Sequence, residues 1–454
     1  MILARIALGL LGLGIVVFMH ELGHFIAARL AGIDVEAFSI GWGKPILKKK
    51  IRGVEYRLGM FPVGGYCKMR GHDDIKGVDD EAVAAGAAPD KGTYFGASPL
   101  RRIIVCLAGP LFNLIFAVAV FSVIWGTGRE FWTQENRIVL ASEVSQRTSY
   151  PADEAGLRTG DRIIGVNGRP TNFSHEVREN IIFSPDRQLH VTVERQGEVI
   201  NFYATPELDR NTGAAILGIH FWTDTLVAGI IPDSDAAIAG ILPGDRIVRI
   251  NGMDVSNTID FMRVVRERPT HITLDFIRGG VENRAELLVT QTGGAMLGIV
   301  WPAIQYRTPR LSPPVAMVRG AQETWSTFTR SIHSLSLLFR GIDLTQAVSG
   351  PLRITHMVGE VATAGFGHSI TTGLRSMMEF LAFISIALAV MNLLPLPVLD
   401  GGQILLYTVE MVRRKPTPPK ALKAFQTVGV VLIFGLMLFA LFGDIMFLGR
   451  LGSG

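Results

Sequence analysis

Apolar residues gather into four long stretches, at about Ile2–Leu30, Ile103–Trp125, Leu374–Leu399 and Val428–Leu448. Each approaches the roughly 20 residues that a helix needs to cross the hydrocarbon core of a bilayer. We therefore predict an α-helical membrane protein with four transmembrane helices.

An internal repeat lies between the second and third apolar stretches. Gly156–Gly168 returns 84 positions later (240 − 156) as Gly240–Gly252, with a Gly-Asp turn, an alternating strand and an Asn-Gly turn in each copy. Such alternation and turn residues predict a strand that closes in a hairpin. The two blocks resemble the core of PDZ domains, so we predict two α+β PDZ domains inserted between spans two and three.

A second short sequence recurs at the end of each copy, as Leu217-Gly218-Ile219 in the first and as Leu297-Gly298-Ile299 in the second. In PDZ domains such a loop precedes the strand that pairs with a peptide, and its position at the C-terminal end indicates a circularly permuted form. These six residues are predicted peptide-binding loops, with peptide C-termini as partners. The alternative, given equal weight, is that the modules are spacers or shields with unoccupied grooves.

The pattern predicts five regions along the chain. Residues 1–126 form the first part of a membrane core, including a membrane-associated β segment at Val35–Met69, and residues 373–454 form the second part. Residues 127–221 and 222–305 are the two predicted PDZ domains. Residues 306–372 are an amphipathic, juxtamembrane segment that either lies on the membrane surface or packs on a PDZ module.

Composition and charge agree with a membrane protein. Of 454 residues 48% are apolar, and the net charge of +4 comes from basic residues that cluster beside apolar stretches, which argues against a nucleic-acid partner. Two loops concentrate these residues: Lys44, Lys48, Lys49, Lys50, Arg52, Arg57, Arg101 and Arg102 in the first, and Arg413, Arg414, Lys415, Lys420 and Lys423 in the second. By the positive-inside rule both loops are cytoplasmic, which puts the repeats and both termini on the opposite side. The two cysteines, Cys67 and Cys106, are too few for a disulfide framework.

The strongest chemical signal is His20-Glu21-Leu22-Gly23-His24 in the first span. Residues four apart share a face of a helix, so the two imidazoles can hold one zinc ion while Glu21 reaches a bound water. Ionisable side chains inside an apolar span are costly unless they serve a site, which favours function over chance. A catalytic zinc site needs a third protein ligand and one open position.

The end of the third apolar stretch supplies the candidate ligand, Asp400. It follows Asn392, Pro395 and Pro397, and two prolines so close together predict an unwound helix with exposed backbone groups. The orientation of the spans puts Asp400 and the two histidines at similar depth, towards the cytoplasmic side. The alternative is that Asp400 only caps the helix that follows.

The sequence combines HELGH in a first span with Asn392-Leu-Leu-Pro-Leu-Pro-Val-Leu-Asp400-Gly-Gly in a later one. This combination resembles the site-2 protease family of intramembrane zinc metalloproteases, in its bacterial RseP-like branch with tandem PDZ domains. The resemblance implies one Zn²⁺ per chain held by His20, His24 and Asp400. It also implies that Glu21 is the general base and that Asn392 lies near the substrate carbonyl.

The same resemblance extends to other segments and to the cell biology. It implies that Gly64, Gly65 and Tyr66 of the β segment, with Pro395 and Pro397, bind the substrate. Two further strings fit the family, Gly109-Pro-Leu-Phe-Asn113 and Ser349-Gly-Pro351. The resemblance implies a multi-pass protein of the bacterial inner membrane with periplasmic PDZ domains and termini. Its expected substrates are single-span membrane proteins already trimmed on the periplasmic side, such as anti-sigma factors, and also remnant signal peptides.

Two other functional classes fit parts of the pattern. One is an inactive membrane-anchored PDZ scaffold or chaperone, and the other is a membrane metal transporter that uses His20, His24 and Asp400 as a transit site. The intact ligand set argues against the first. Glu21 beside the first histidine argues against the second, because hydrolysis needs a base there.

Overall fold

The computed structural model describes residues 2–71, 92–210, 213–267, 269–290, 297–337, 350, 353–354, 357, 361 and 370–452. The Ser349-Gly-Pro351 string lies outside these residues except for Gly350. The chain forms two compact units, one built from Met1–Arg129 together with Pro309–Gly454 and the other from Glu130–Thr308.

The first unit begins with helix α1 (Ile2–Leu30), strands β1 (Val35–Ile51) and β2 (Val54–Met69), and helix α2 (Pro99–Thr127). Pro99 stands in the first turn of α2, where its missing N–H has no helical partner to lose. Alanine, valine and cysteine side chains of α1 and α2 pack with the base of the β hairpin in one core cluster.

The β hairpin is a folded-back sheet in which the start of β1 has neighbours on both sides. Residues 37–40 pair with residues 55–58 and also with residues 65–68, so that Ile40 faces both Leu58 and Gly65. Phe38 packs against Phe18 and Phe25 of α1, which fixes the sheet to this helix. The stretch 65–68 is thus an outer edge, since the sheet has no strand beyond it within the described residues.

The second unit contains two four-stranded antiparallel sheets of the same strand order. Its helices are α3 (Pro151–Glu154), α4 (Ser174–Ile182), α5 (Asp235–Ile238) and α6 (Thr258–Arg266). Its strands are β3 (Glu130–Thr133), β4 (Ile138–Leu140), β5 (Arg162–Val166), β6 (Arg169–Pro170), β7 (Leu189–Arg195), β8 (Glu198–Ala204), β9 (Glu207–Leu208), β10 (Ala215–Ile216), β11 (Ile219–Phe221), β12 (Gly229–Ile230), β13 (Arg246–Ile250), β14 (Met253–Asp254), β15 (His271–Arg278), β16 (Val281–Leu288), β17 (Ile299–Val300) and β18 (Ile304–Arg307). The sheet orders are β6-β5-β7-β8 and β14-β13-β15-β16, so the sequence repeat corresponds to a structural repeat.

The repeated Gly-Asp turns make the same contacts in both copies. Asp161 accepts hydrogen bonds from Arg195, at 2.6 and 2.8 Å, and Asp245 accepts them from Arg278, at 2.7 Å for both oxygens. Burial opposes ionisation of Asp245, but the bonds from Arg278 and from the N–H of Leu242 outweigh it and hold the pKa of this carboxyl below its usual value. Each buried aspartate therefore ties the turn to the end of a central strand.

The first unit resumes with helices α7 (Pro313–Leu337), α8 (Ile370–Asn392), α9 (Asp400–Arg413) and α10 (Pro419–Gly452). Within the described residues, four segments are long and apolar enough to cross a membrane: Gly9–Leu30, Pro99–Thr127, Ile370–Asn392 and Lys420–Met446. The protein is thus a membrane protein with a β-rich part. The third membrane-length helix, α8, ends at Asn392 rather than at Leu399, because Pro395 and Pro397 follow within the next turn and a half.

The amphipathic helix α7 packs lengthwise on α2. Phe328 and Leu335 join the core cluster formed by α2 and α8. A Cβ at Gly320 would lie 2.4 Å from Oγ of Ser122, so the two helices approach closely at this glycine. This contact lies within the membrane unit and so differs from the expected packing on a PDZ module, whereas the alternative of a position on the membrane surface stays a prediction.

Candidate metal centre

Three donor side chains converge where α1 meets the start of α9. The Nε2 atoms of His20 and His24 are 3.2 Å apart, and the carboxylate oxygens of Asp400 lie 3.2 Å from Nε2 of His20 and 3.5 Å from Nε2 of His24. Zinc ligands at 2.0–2.1 Å in a tetrahedral site lie about 3.3 Å from one another. The donor set and its spacing therefore fit one zinc ion. That these three residues bind it stays a prediction.

Asp400 reaches the histidines through a tight loop after α8. It is the first residue of α9, and none of the side chains that the structure describes caps that helix start. Cβ atoms at Gly401 and Gly402 would lie 2.1–2.5 Å from carbonyl groups of residues 393–396, so the loop folds directly against the helix. Val398 has a φ of 78°, which is strained for a β-branched residue. Such strain beside a cluster of ligands is typical of functional sites.

Helix α2 lies against both imidazoles. Nδ1 of His24 is 2.8 Å from the carbonyl oxygen of Val105, and Nδ1 of His20 is 3.2 Å from the side-chain amide of Asn113. Between these two positions, a Cβ at Gly109 would lie 2.5 Å from Nε2 of His24. The Gly109–Asn113 string thus belongs to the site, with glycine giving the clearance for close packing.

Glu21 faces a cavity of about 650 Å³ beside the donor set. The cavity is lined by residues of α1, the β hairpin, the loop before α2, α2 and the α8–α9 segment: His20, Glu21, His24, Trp42, Tyr66, Cys67, Lys68, Met69, Tyr94, Val105, Cys106, Asn392, Val398, Asp400 and Gln403. The predicted base, the predicted ligands and Asn392 therefore share one cavity.

The predicted substrate-binding residues differ in how close they lie to the cavity. Tyr66 lines the cavity, and a Cβ at Gly65 would lie 3.4 Å from Cγ of Glu21, so the outer edge of the hairpin passes Glu21. At Gly64 the indole of Trp42 instead lies against the backbone. Pro395 and Pro397 shape the loop without lining the cavity, and Pro397 lies against Gly429 of α10.

The predicted peptide-binding loops occupy equivalent places in the two repeats. The carbonyl of Leu217 accepts the N–H of Ala152 at the start of α3, and that of Leu297 accepts the N–H of Ala236 in α5. Gly218 and Gly298 have φ values of 86° and 81°, the left-handed region that favours glycine. Ile219 pairs with Leu140 and Ile299 with Ile230, so each loop leads into a short strand pair. Peptide binding at these loops stays a prediction.

Sequence reasoning missed a buried ion pair that holds α9 in place. Nη2 of Arg102 in α2 lies 2.8 Å from Oε2 of Glu410 in α9, and each side chain is 7% exposed. The guanidinium also lies 4.4 Å from the ring centre of Tyr407, and the other oxygen of Glu410 accepts the N–H of Thr417. These contacts attach α9, the helix that begins with Asp400, to α2.

Comparisons with known proteins agree with the site. The sequence profile of the family described as "Peptidase family M50" matches residues 8–436. A protein of Treponema pallidum named as a zinc metalloprotease is 34% identical over 447 residues, which cover 98% of this chain and 99% of the relative. A similarly named protein of Neisseria meningitidis is 31% identical, over 95% and 96% of the two chains. "Protease RseP" of Yersinia pestis is 30% identical over 98% of each chain.

Proposed function

The chain belongs to peptidase family M50 and is a membrane-embedded zinc metalloprotease, and from that premise we propose that it hydrolyses peptide bonds in or near the transmembrane segments of single-span membrane proteins. The observation that carries this proposal is the shared cavity. The three donor atoms, Glu21 and an open strand edge meet there, between helices long and apolar enough to cross a membrane.

We assign the zinc to His20, His24 and Asp400. These are two nitrogen donors and one oxygen donor within 4.8 Å of one another, which leaves a fourth tetrahedral position for water or substrate. When bound there, zinc lowers the pKa of a coordinated water and polarises a carbonyl. The histidines, buried and oriented by α2, present Nε2 to the metal.

Glu21 and Asn392 act on the reacting groups in this proposal. Glu21 is one residue from the first ligand and borders the cavity, so its carboxylate accepts the proton of the attacking water and later passes it to the leaving amine. Asn392 ends α8 at the same cavity, where its amide donates a hydrogen bond to the developing oxyanion.

The hairpin edge explains how a helical substrate is presented. A transmembrane helix hides its carbonyl groups in internal hydrogen bonds, so the substrate must be extended before water can attack. Residues 65–68 form an outer edge that passes Glu21 and lines the cavity. A substrate strand that pairs with this edge has its backbone beside the donor set.

The finer biological role follows the resemblance in sequence. We assign the chain to the bacterial inner membrane, with the zinc site towards the cytoplasm and the repeated modules and termini in the periplasm, as the two basic loops indicate. The proposed substrates are single-span proteins trimmed on the periplasmic side, such as anti-sigma factors, and remnant signal peptides.

Co-expression with candidate single-span proteins tests the proposal. Full-length substrate, substrate trimmed to a short periplasmic end and an unrelated single-span protein are compared, each with wild type and with Glu21→Gln. Zinc-dependent cleavage of the trimmed substrate by wild type alone supports the proposal. Cleavage confined to soluble segments, or cleavage that survives Glu21→Gln, contradicts it.

A further inference from the structure

Asn113 is a buried amide in the second span that hydrolysis, as proposed above, leaves without a role. Its side chain is fully buried at a position 93 residues from His20 along the chain. An amide buried among apolar side chains is costly unless its hydrogen bonds are made. Its Oδ1 nevertheless has no hydrogen-bond partner among the residues that the structure describes.

Metal ligation sets a requirement on each imidazole. A histidine that binds zinc through Nε2 is neutral and carries its proton on Nδ1, so that Nδ1–H needs an acceptor. For His24 the carbonyl oxygen of Val105 is that acceptor, at 2.8 Å. For His20 the group at the same ring position is the amide of Asn113, with its nitrogen 3.2 Å away.

Only one orientation of the Asn113 amide is compatible with zinc at His20. If the amide nitrogen donates to Nδ1, the proton of the ring is on Nε2, and that atom has no lone pair for a metal. A half-turn of the amide exchanges its nitrogen and oxygen, which atoms of nearly equal size allow. The oxygen then accepts the Nδ1–H of His20 and leaves Nε2 free to bind, while the amide nitrogen takes the place that the oxygen had.

The surrounding helix holds the amide at this place. Val105, Gly109 and Asn113 are four residues apart and share one face of α2, the face against the histidines. Ser385 of α8 donates its hydroxyl hydrogen to the main-chain carbonyl of Asn113, at 3.0 Å, a bond that involves the backbone and not the side-chain amide. One face of α2 thus supplies the acceptor for His24, the clearance at Gly109 and the amide for His20.

We propose that Asn113 is a positioning residue of the zinc site, whose amide oxygen accepts the Nδ1–H of His20 and holds Nε2 of that ring towards the metal. The inference rests on the proposed assignment of His20, His24 and Asp400 as ligands. Loss of such a hydrogen-bond partner of a metal-bound histidine weakens metal binding about 10–100-fold.

Zinc affinity of the full-length protein in detergent tests this role. Zinc is removed with a chelator and returned in competition with a chromophoric chelator, for wild type, Asn113→Leu, Asn113→Asp and Ser385→Ala. We expect the zinc Kd to rise about 10–100-fold in Asn113→Leu. Asn113→Asp, which has the same shape and keeps an acceptor, stays within a few-fold of wild type. Ser385→Ala, which removes a buried hydrogen bond at the same level without touching an imidazole, also keeps wild-type affinity.

Two outcomes overturn the role of Asn113: unchanged zinc affinity in a folded Asn113→Leu protein, or equal losses in Asn113→Leu and Asn113→Asp. Thermal unfolding without metal shows whether each variant is folded, and Asn113→Ala replaces Asn113→Leu if the larger side chain prevents folding. Asp400→Ala distinguishes a failure of the ligand assignment from a failure of the role of Asn113. If Asp400→Ala binds zinc as tightly as wild type, the ligand assignment fails together with the inference. If Asp400→Ala loses zinc and Asn113→Leu does not, only the inference fails.

Discussion

Glu21 lies between His20 and His24 along α1, and the proposed function gives the histidines to the metal and proton transfer to Glu21. Helical geometry puts the histidines on one face and turns Glu21 away from them by one residue. In the structure the two Nε2 atoms face Asp400, while Glu21 borders the cavity. Substitution at Glu21 is therefore expected to affect chemistry alone, and substitution at a ligand to affect metal content as well.

Glu21→Gln should lower the cleavage rate by at least about 100-fold, because the amide cannot take the proton of the attacking water. Zinc content should remain at one per chain, since all three donors are intact. Cleavage of a trimmed substrate and metal content of the same purified sample are the two measurements. Substantial turnover by the variant contradicts the assignment of Glu21 as general base.

Asp400→Ala should reduce both zinc content and activity, because it removes one of three protein donors. If Asp400 only stabilised the start of α9, its loss would destabilise the protein by about 1 kcal/mol and leave the metal in place. Elemental analysis of the purified, folded variant distinguishes the two roles. Asp400→Asn serves as a matched control for shape, since it keeps the size of the side chain and weakens it as a donor.

Helix α9 carries Asp400, and its position depends on contacts that the sequence does not reveal. The HExxH spacing predicted that His20 and His24 share a helix face, and the two prolines after Asn392 predicted an unwound segment, because both features depend on local geometry. Asp400 was expected near the histidines from the orientation of the spans and the family resemblance, and the structure brings the three side chains together. The carbonyl of Val105 has no sequence signature, since every residue has a main-chain carbonyl. The pair of Arg102 with Glu410 joins residues 308 positions apart, and no local pattern links them.

The placement of α7 was beyond the sequence for a related reason. Its amphipathic pattern fits a membrane surface, a PDZ module or a helix of the membrane core equally well. Packing on α2 depends on the close approach at Gly320, which becomes evident only when Ser122 is seen opposite it. The spans themselves were predictable because a run of apolar residues is a property of the chain alone.

Glu410→Gln should destabilise the membrane unit by about 3–5 kcal/mol, because it leaves the buried guanidinium of Arg102 without a counter-charge. The double variant Arg102→Met/Glu410→Met should recover most of this loss, since it removes both buried charges and keeps the volume. Equilibrium unfolding in mixed detergent micelles measures the difference. Equal stability of Glu410→Gln and wild type would show that the pair does not hold α9 to α2.

The whole molecule combines a membrane unit, which contains all the proposed catalytic residues, with an inserted unit, Glu130–Thr308, which contains the repeats. The basic loops around Lys49 and Arg413 predict that the two loops share the cytoplasmic side, and the inserted unit then lies across the membrane from them. The sequence predicted the repeat because its turn residues recur. The strand order and the aspartate–arginine hydrogen bonds could be seen only in the structure.

Introduced cysteines can measure this orientation. Cys67 is a poor reporter, because burial raises the pKa of its thiol and so lowers its reactivity. Lys49→Cys and Val199→Cys replace exposed residues of the hairpin and of the inserted unit, in a Cys67→Ser background. A membrane-impermeant thiol reagent should label Val199→Cys in cells with a permeabilised outer membrane and label Lys49→Cys only after lysis. The reverse pattern would invert the orientation.

Removal of the inserted unit tests what the repeats contribute to substrate choice. Strands β3 and β18 pair Glu130 with Arg307, so the ends of the unit are about 5 Å apart and a short Gly-Ser linker can replace Glu130–Thr308. A site made of unwound helices has few pockets that tell one span from another, so selection must depend on what can approach it. We expect the deletion variant to keep its zinc and to cleave trimmed substrate, and also to cleave substrate that retains its periplasmic domain, which wild type excludes.

If the grooves instead recruit substrate by strand pairing, cleavage of trimmed substrate falls. Failure of a zinc-loaded, stably expressed deletion variant to cut either substrate would exclude the repeats as a size filter.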